Sequence, residues 1–351
     1  MTITFRPTEE QADLQALVRT IIDGQCSDEA IAAIDSNPEA WDEPLHRALA
    51  ASGVLEAVTG DRADPGLGLA GLHFALVEAG RGPTRIPLAS TAVAGLALAR
   101  AGHNSAQSIA SGEITVAISP GDPLRTLRIV GNRLEGPLGL TYAAQHVSHL
   151  LLADEGGALY LVRADHQGVE LRPAGLGGDG ATGHVSVPLS NLEVIEGVSR
   201  DYVIPRLRTA LASFATGAAA EAVRRTADYV SHRVQFGQPL STKQGVAIRA
   251  ADAHIDTESM RLATMRAAVA LDEQRPDADQ AAAEAAWWVT TAGVRAVHAA
   301  QHLHGGMGAD TDYHIHRYFV LVRDIAIALG AADALLGEIG DAIVAGKESV
   351  R

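Results

Sequence analysis

The sequence is poor in cysteine, in aromatic residues and in positive charge, and each shortage narrows what the protein can be. Its single cysteine, Cys26, excludes an internal disulfide framework and suits a reducing cytosol. Aromatic residues make up only 4% of the chain, so the hydrophobic 47% is largely alanine and leucine, which favours helices. Because the net charge is −14, the chain as a whole repels nucleic acid, and no nucleic-acid partner is expected.

Long apolar segments are missing as well. No uncharged run approaches the roughly 20 apolar residues that a membrane-spanning helix needs. The N-terminal segment MTITFRPTEEQADLQ has neither the basic start nor the apolar stretch of an export signal. These absences predict a cytoplasmic protein that has no membrane partner.

The pattern of residue types changes twice along the 351 residues of the chain. Residues 1–112 have apolar residues at helical spacing, and Thr8 followed by Gln11 resembles a helix start. Residues 113–195 contain short β-branched runs separated by Gly, Pro and Asp, which predict strands. From Pro205, a favourable first helical position, helical texture returns at about 205–232, 243–272, 278–303 and 331–345.

This pattern predicts an α+β fold that is mostly α. An N-terminal helical domain at residues 1–112 is followed by a small antiparallel β domain at 113–195. A helical domain at 196–351, built as a four-helix bundle, completes the chain.

Three segments of the C-terminal third carry groups suited to an anionic cofactor. The first begins Arg233-Val-Gln-Phe-Gly and has Gln244 seven residues after its glycine; the second is QHLHGGMG, residues 301–308. The third is the pair Arg323-Asp324. A guanidinium offers a rigid fork of donors to a phosphate, and a Gly-Gly step lets a backbone approach a ligand without Cβ obstruction. Each feature alone is also typical of a surface cation or a helix C-cap.

In their order and spacing, these segments resemble the R-x-x-F-G…Q, Q-x-x-G-G-x-G and R-D segments of the acyl-CoA dehydrogenase family. The resemblance implies FAD as cofactor, gripped across a subunit interface by the C-terminal helical domain. The residues of this chain that would then contact the neighbour's FAD are Arg233, Gln235, Phe236, Gly237, Gln244, Gln301, His302, Gly305 and Gly306.

Two parts of the family pattern are missing here. The segment that holds a chain's own flavin, typically T-E-P-x-A-G-S-D, is replaced by AISPGDPLRTL. The catalytic Glu of the family follows the R-D pair by eight residues, where this chain has Ala332, or lies before R-x-x-F-G, where it has Leu207. Asp333 is the one minor candidate for a base, although its register is shifted and Asp reaches less far than Glu.

The segment HGGMGADTDYHIHRYF, followed by ALG, resembles short degenerate subunits of heterotetrameric acyl-CoA dehydrogenases from actinobacterial steroid catabolism. This resemblance implies a subunit of a flavoprotein oxidoreductase of lipid metabolism that dehydrogenates a CoA thioester, with a steroid side-chain acyl-CoA as the expected substrate. A full-length dehydrogenase subunit is the expected partner, with two copies of each chain. This chain would help to hold the partner's FAD, would lack the catalytic Glu and would be inactive alone.

Two other functions stay open at this point. The chain could form a self-sufficient homotetramer with an unusual base such as Asp333, or it could be a non-catalytic helical scaffold. A metal site is not expected, because His298, His302, His304, His314 and His316 lack accompanying thiolates or carboxylates at suitable spacing. The GLGGDG segment at 175–180 fits G-x-G-x-x-G but precedes a strand-like run, so it is interpreted as a turn.

Overall fold

The computed structural model describes residues 5–35, 41–60, 66–119, 127–137, 141–142, 147–173, 180–181 and 183–348. Within them, helices come first, strands follow and long helices complete the chain, so the predicted α+β fold that is mostly α is confirmed. The replacement for the own-flavin segment lies largely outside these residues, at 120–126, and most of the GLGGDG segment does too.

The N-terminal part consists of helices that pack on one another and on the C-terminal helices. Thr8 caps α1 with a full capping box, in which the Thr8 hydroxyl accepts from the Gln11 amide and the Gln11 side chain accepts from the Thr8 amide, so the predicted helix start is confirmed. The helices are α1 Glu9–Gln25, α2 Asp28–Asp35, α3 Glu43–Ala51, α4 Val54–Thr59, α5 Gly68–Gly80, α6 Leu88–Ala101 and α7 Ser105–Ala110.

Among the described residues, the central part contains two four-stranded sheets packed face to face and one two-stranded sheet. The strands are β1 Val116–Ile118, β2 Arg128–Val130, β3 Arg133–Pro137, β4 Thr141–Tyr142, β5 His149–Ala153, β6 Leu159–Arg163, β7 Glu170–Pro173, β8 Gly180–Ala181, β9 Gly183–Pro188 and β10 Glu193–Ile195. One sheet has the order β1-β5-β6-β10 and the other β2-β3-β9-β7. Leu151 faces the helical core, whereas Leu150 and Leu152 face the second sheet. The pairing is antiparallel as predicted except between β1 and β5, which run parallel.

The C-terminal part is built from long helices, which are α8 Arg200–His232, α9 Gln244–Asp272, α10 Ala278–Trp288, α11 Val294–Leu303, α12 Ile315–Leu329 and α13 Ala332–Glu348. A π-helical turn at Val289–Gly293 joins α10 to α11. The prediction that α8 begins at Pro205 is wrong, because the helix begins at Arg200 and holds the proline in its second turn. A proline this close to a helix N-terminus removes few backbone hydrogen bonds, so the helix accommodates it.

Helix α8 is locked against α5 by two glycines. A Cβ on Gly217 would lie 1.9 Å from the Val77 carbonyl oxygen, and one on Gly80 would lie 2.1 Å from that of Phe214. The two backbones are therefore in direct contact, which only glycine allows. Asp272, at the end of α9, adds a cap to α5 by accepting from the amides of Leu69 and Ala70 at 3.1 and 2.8 Å. These contacts hold α8 and α9 rigidly, so the ends of both helices have fixed positions.

Among the described residues, no helix is both long enough and apolar enough to cross a membrane.

Candidate functional site

Two of the three sequence segments meet at one end of the C-terminal bundle. Arg233 is the C-cap of α8, and Gln244 is the first residue of α9, so the connection between the helices places both at the same end. The end of α11 joins them because His304 stacks on Tyr229 in the last turn of α8, with ring centroids 4.2 Å apart. We call this surface the grip end. It brings together Arg233, Gln244 and the Gly305–Gly306 step.

A two-residue hairpin projects from the grip end. Its strands are β11 Val234–Gln235 and β12 Gln238–Pro239, and its turn is formed by Phe236 and Gly237, with φ of +54° and +79°. Positive φ at both turn residues is the pattern of a type I′ turn, which glycine adopts freely and phenylalanine does not. The Phe236 side chain is also 91% exposed. A strained and largely exposed aromatic residue contributes little to the stability of the isolated chain and is typical of a site that contacts another molecule.

Arg233 offers a free guanidinium beside this hairpin. Its backbone is used, since its amide donates to the Tyr229 carbonyl at 2.8 Å and its carbonyl accepts from the Leu240 amide at 2.9 Å. Its side chain is exposed and makes no ion pair with any residue that the structure describes. Gln235 and Gln244 are exposed as well. These backbone hydrogen bonds fix the position of the Arg233 main chain. The N–H donors of its guanidinium remain available to an anion.

The Gly305–Gly306 step is open to solvent. Gly305 follows the C-cap of α11 with φ of +62°, and a Cβ on either glycine would meet no atom within 4 Å. Gly308 is different, because a Cβ there would lie 2.1 Å from the Gln301 carbonyl oxygen. The Gln301 side chain donates to the Gly308 carbonyl at 2.7 Å, so it closes the loop. Of the neighbours Gln301 and His302, His302 is the more exposed, so its side chain is the more accessible to a ligand.

His304 is the main residue of the grip end that the motif analysis did not single out as a site residue. It is 3% exposed, and its ring bonds the Tyr313 hydroxyl at 3.0 Å and the Thr226 hydroxyl at 3.3 Å. Burial, with a smaller effect from His314, lowers the pKa of His304 to about 4. The neutral ring is thus a rigid support beneath the Gly-Gly loop. A histidine directly before Gly-Gly, with Tyr313 shortly after, was the available sequence signal.

The third segment lies within α12 rather than in a loop. Asp324 is 3% exposed, and Arg323 donates to it at 3.0 Å while its guanidinium lies 5.8 Å from the centroid of the Phe319 ring. Because the Asp324 carboxylate accepts from Arg323, the two charges satisfy each other within α12. It contributes no free charge to the grip end.

The other end of α8 carries no buried carboxylate at the positions where the sequence comparison placed a base. Leu207 is 2% exposed and belongs to the core. Next to it, Arg208 forms a two-point ion pair with Glu338 of α13, at 2.6 and 3.1 Å. Asp333 lies in the first turn of α13 and is exposed to solvent. Since Arg208 and Arg233 are 25 residues apart on one helix, about 37 Å separates this end from the grip end.

The grip end is suited to a diphosphate ester with an attached ring system. It offers a free guanidinium, an open glycine backbone and an exposed aromatic face, and Lys243 adds an ammonium group 6.0 Å from the centroid of the Phe236 ring. In contrast, the histidines near the grip end each contact different residues. Within the described residues, no group of three or more His, Cys, Asp or Glu side chains is placed to hold a metal ion.

Comparison with known proteins identifies the class. A family model described as the acyl-CoA dehydrogenase C-terminal domain matches residues 202–344. The Mycobacterium tuberculosis protein named acyl-CoA dehydrogenase FadE27 is 32% identical over 371 residues, which cover 96% of this chain and 97% of the relative. FadE28 of the same organism is 29% identical over 349 residues, covering 96% and 98%. The chain belongs to the acyl-CoA dehydrogenase family, as the sequence resemblance predicted.

Solved structures agree over almost the whole chain. The Tcur3481-Tcur3483 steroid ACAD G363A variant superposes with a TM-score of 0.87 at 32% identity, covering 97% of this chain and 99% of the other. The ChsE4-ChsE5 complex from Mycobacterium tuberculosis gives a TM-score of 0.86 at 28% identity, with the same coverage. Butyryl-CoA dehydrogenase from Megasphaera elsdenii, at 19% identity and a TM-score of 0.78, shares the fold.

Proposed function

We propose that this chain is the non-catalytic subunit of a heteromeric, flavin-dependent acyl-CoA dehydrogenase. The observation that carries the proposal is the contrast between the two ends of α8. The grip end presents a free Arg233, a strained and exposed Phe236 and an open Gly305–Gly306 backbone, whereas the far end has a buried Leu207 and a solvent-exposed Asp333. The chain thus keeps groups that would hold a cofactor and, at the described positions where a base is expected, has no shielded carboxylate.

FAD fits the groups at the grip end. Its diphosphate matches the guanidinium of Arg233 and the open amides near Gly305 and Gly306, with Gln235, Gly237, Gln244, Gln301 and His302 forming the surrounding surface. Phe236 supplies an apolar face at the edge. When bound, FAD would supply the acceptor for the hydride that leaves the β carbon of the thioester. The residues of this chain would bind and orient the diphosphate side and exclude water from it.

The far end explains why a partner is needed. Removal of the α proton requires a carboxylate in a dry pocket within hydrogen-bond reach of that carbon. A solvent-exposed Asp333 lacks the shielding that makes such a base effective, and Leu207 has no proton-accepting group. We therefore assign the base and the flavin-covering strand to a full-length dehydrogenase subunit, in a heterotetramer with two copies of each chain.

The substrate class follows from the relatives. Structures described as a steroid ACAD and as a two-protein complex superpose on nearly the whole chain, and both exceed 25% identity. We infer a CoA thioester with a steroid side-chain acyl group as substrate, and a role in steroid catabolism in the cytoplasm.

Co-expression tests the proposal directly. This chain, tagged and co-expressed with a full-length acyl-CoA dehydrogenase subunit of the same organism, should yield a yellow heterotetramer with two flavins that dehydrogenates a steroid side-chain acyl-CoA. Alone, it should be colourless and inactive. A purified homotetramer of this chain with stoichiometric flavin and turnover that Asp333→Asn abolishes would overturn the proposal.

A further inference from the structure

We propose that Asp28, in the N-terminal part of the chain, is a positioning residue for the grip end. Its carboxylate contacts two separate elements of that end. It accepts from Nη1 of Arg225 on α8 at 2.9 and 3.2 Å, and one of its oxygens lies 3.3 Å from Nδ1 of His314, the N-cap of α12. This inference rests on the proposed function and adds to it a residue that acts through others.

Helix α2 gives Asp28 a fixed position. Asp28 is the first residue of this helix, and the hydroxyl of Ser27 before it accepts from the Ala30 amide at 3.2 Å. Ile31, in the same turn, is 2% exposed and anchors the helix in the interior. Arg317 of α12 donates to the Asp28 carbonyl through a longer bond of 3.4 Å. Because its own helix holds it, the carboxylate can fix the groups that it contacts.

On the α8 side, Asp28 holds Arg225. This arginine lies eight residues before Arg233 on the same helix, about 12 Å along its axis. Its Nε donates to Glu221 at 3.0 Å, and Glu221 is 4% exposed. The guanidinium of Arg225 therefore bridges a buried carboxylate of its own helix and the Asp28 carboxylate. This ion pair connects α2 to the helix whose end carries Arg233.

On the loop side, His314 leads to the support beneath the Gly-Gly step. Its ring centroid lies 4.3 Å from that of Tyr313, whose hydroxyl bonds His304, the residue before Gly305, at 3.0 Å. Burial, partly offset by the charge of Asp28, lowers the pKa of His314, so the ring is neutral near pH 7. In a neutral ring, the nitrogen that faces a carboxylate carries the proton, so Nδ1 of His314 donates to Asp28.

Asp28 thus connects the two sides of the grip end. Helix α8 carries Arg233, and the loop carries the Gly305–Gly306 step, so a diphosphate that contacts both needs them at a fixed separation. Without the charge of Asp28, the loop loses a connection to α8, and FAD would have to order the loop as it binds. That ordering opposes binding, because it removes conformational freedom from the loop. We therefore expect Asp28 to affect how tightly FAD is held.

Asp28→Asn tests the proposal in the co-expressed complex. The variant keeps the size of the side chain and removes its charge, so FAD should be lost about fivefold faster on dilution. Turnover of the FAD-saturated complex should stay unchanged. Glu338→Gln is the matched control, because Glu338 pairs with Arg208 at the far end and its side chain is 41% exposed, against 42% for Asp28. The control should lose similar stability in denaturant and keep the wild-type rate of FAD loss. Equal rates of FAD loss in the two variants would overturn the proposal.

A second pair of variants tests the connection from the loop side. In His314→Asn, the amide nitrogen lies near the position of Nδ1, whereas in His314→Gln it lies one bond farther from the backbone. Both variants lose the ring contact with Tyr313, so that loss cancels in the comparison. His314→Gln should lose FAD about threefold faster than His314→Asn. The same rate in both would contradict the proposal, and this comparison decides alone if Asp28→Asn does not assemble.

Failure of the proposed function gives a different result. The wild-type complex would then hold no flavin, and the inference would fall with the function. Failure of this inference alone leaves a yellow complex in which Asp28→Asn and Glu338→Gln hold FAD equally well.

Discussion

The two ends of α8 share one rigid helix and differ in what they present to a ligand. At the grip end, exposed and strained groups are held by a buried support, in which His304 contacts Tyr229, Tyr313 and Thr226. At the far end, Leu207 is packed into the core. The strained, exposed residues at the grip end support the proposal that it binds a cofactor in trans, whereas Leu207 at the far end belongs to the folding core.

Placing a carboxylate at the far end should have the largest effect. Leu207→Glu buries a charge without a partner and should lower the free energy of unfolding by about 4 kcal/mol. Denaturant titration of the complex measures it, with Leu207→Met as the volume-matched control. If Leu207→Glu were stable and conferred turnover on the isolated chain, the far end would be an intact active site that lacks only its base.

Removing His304, which supports the grip end, should have the second-largest effect. His304→Ala leaves a cavity and two hydroxyls, those of Tyr313 and Thr226, without their imidazole partner. We expect a loss of about 3 kcal/mol in the free energy of unfolding, together with weaker FAD retention by the complex. Wild-type flavin retention in this variant would show that the Gly-Gly loop does not depend on the histidine beneath it.

Arg233→Ala should weaken cofactor binding without weakening the fold. The lost charge-assisted hydrogen bonds correspond to roughly 1.5–3 kcal/mol, or about a 10- to 150-fold loss of FAD affinity. Flavin fluorescence during dilution of the complex measures this. Arg47→Ala, an exposed arginine on α3, should leave FAD affinity unchanged. Equal FAD affinity in the Arg233→Ala and wild-type complexes would favour the scaffold function.

Acid should destabilise the grip end through His304. Burial lowers the pKa of His304 to about 4. Between about pH 4 and 6.5, the imidazole is therefore protonated in the unfolded chain and neutral in the folded chain. This stability is complete above about pH 6.5 and is lost as the pH falls toward 4. Comparing thermal unfolding of wild type and His304→Phe between pH 7 and 4.5 tests it, and the variant should lose less stability. Parallel pH profiles would contradict the assignment.

Asp333→Asn should have the smallest effect. Because Asp333 is exposed and far from the grip end, we expect turnover of the complex to change less than about twofold. Steady-state kinetics with the acyl-CoA substrate measure it. A loss of turnover by several orders of magnitude would identify Asp333 as the base. It would then favour the alternative of a self-sufficient homotetramer.

Local chemistry allowed much of the fold to be predicted. Thr8 and Gln11 mark a helix start because their side chains bond the amides of that same turn. Pro205 misled because proline is favoured at the first helical position, whereas here it lies in the second turn of α8, where it costs the helix one backbone hydrogen bond.

The candidate site could be predicted only in part. The motifs identify Arg233, Phe236 and the Gly-Gly step, but the positive φ of Phe236 and the burial of His304 depend on contacts between residues distant in the chain. For the same reason, the sequence did not show that the Gln301 amide closes its own loop.

By itself, the sequence determined the family, the order of helices and strands, and the lack of a carboxylate at the two expected positions, because these follow from residue identity and local spacing. The tertiary structure alone decided that Arg233 and Asp333 face different regions and that Phe236 lies in a strained, exposed turn. Those properties depend on how a rigid 33-residue helix is held by its neighbours, and no local pattern specifies that packing.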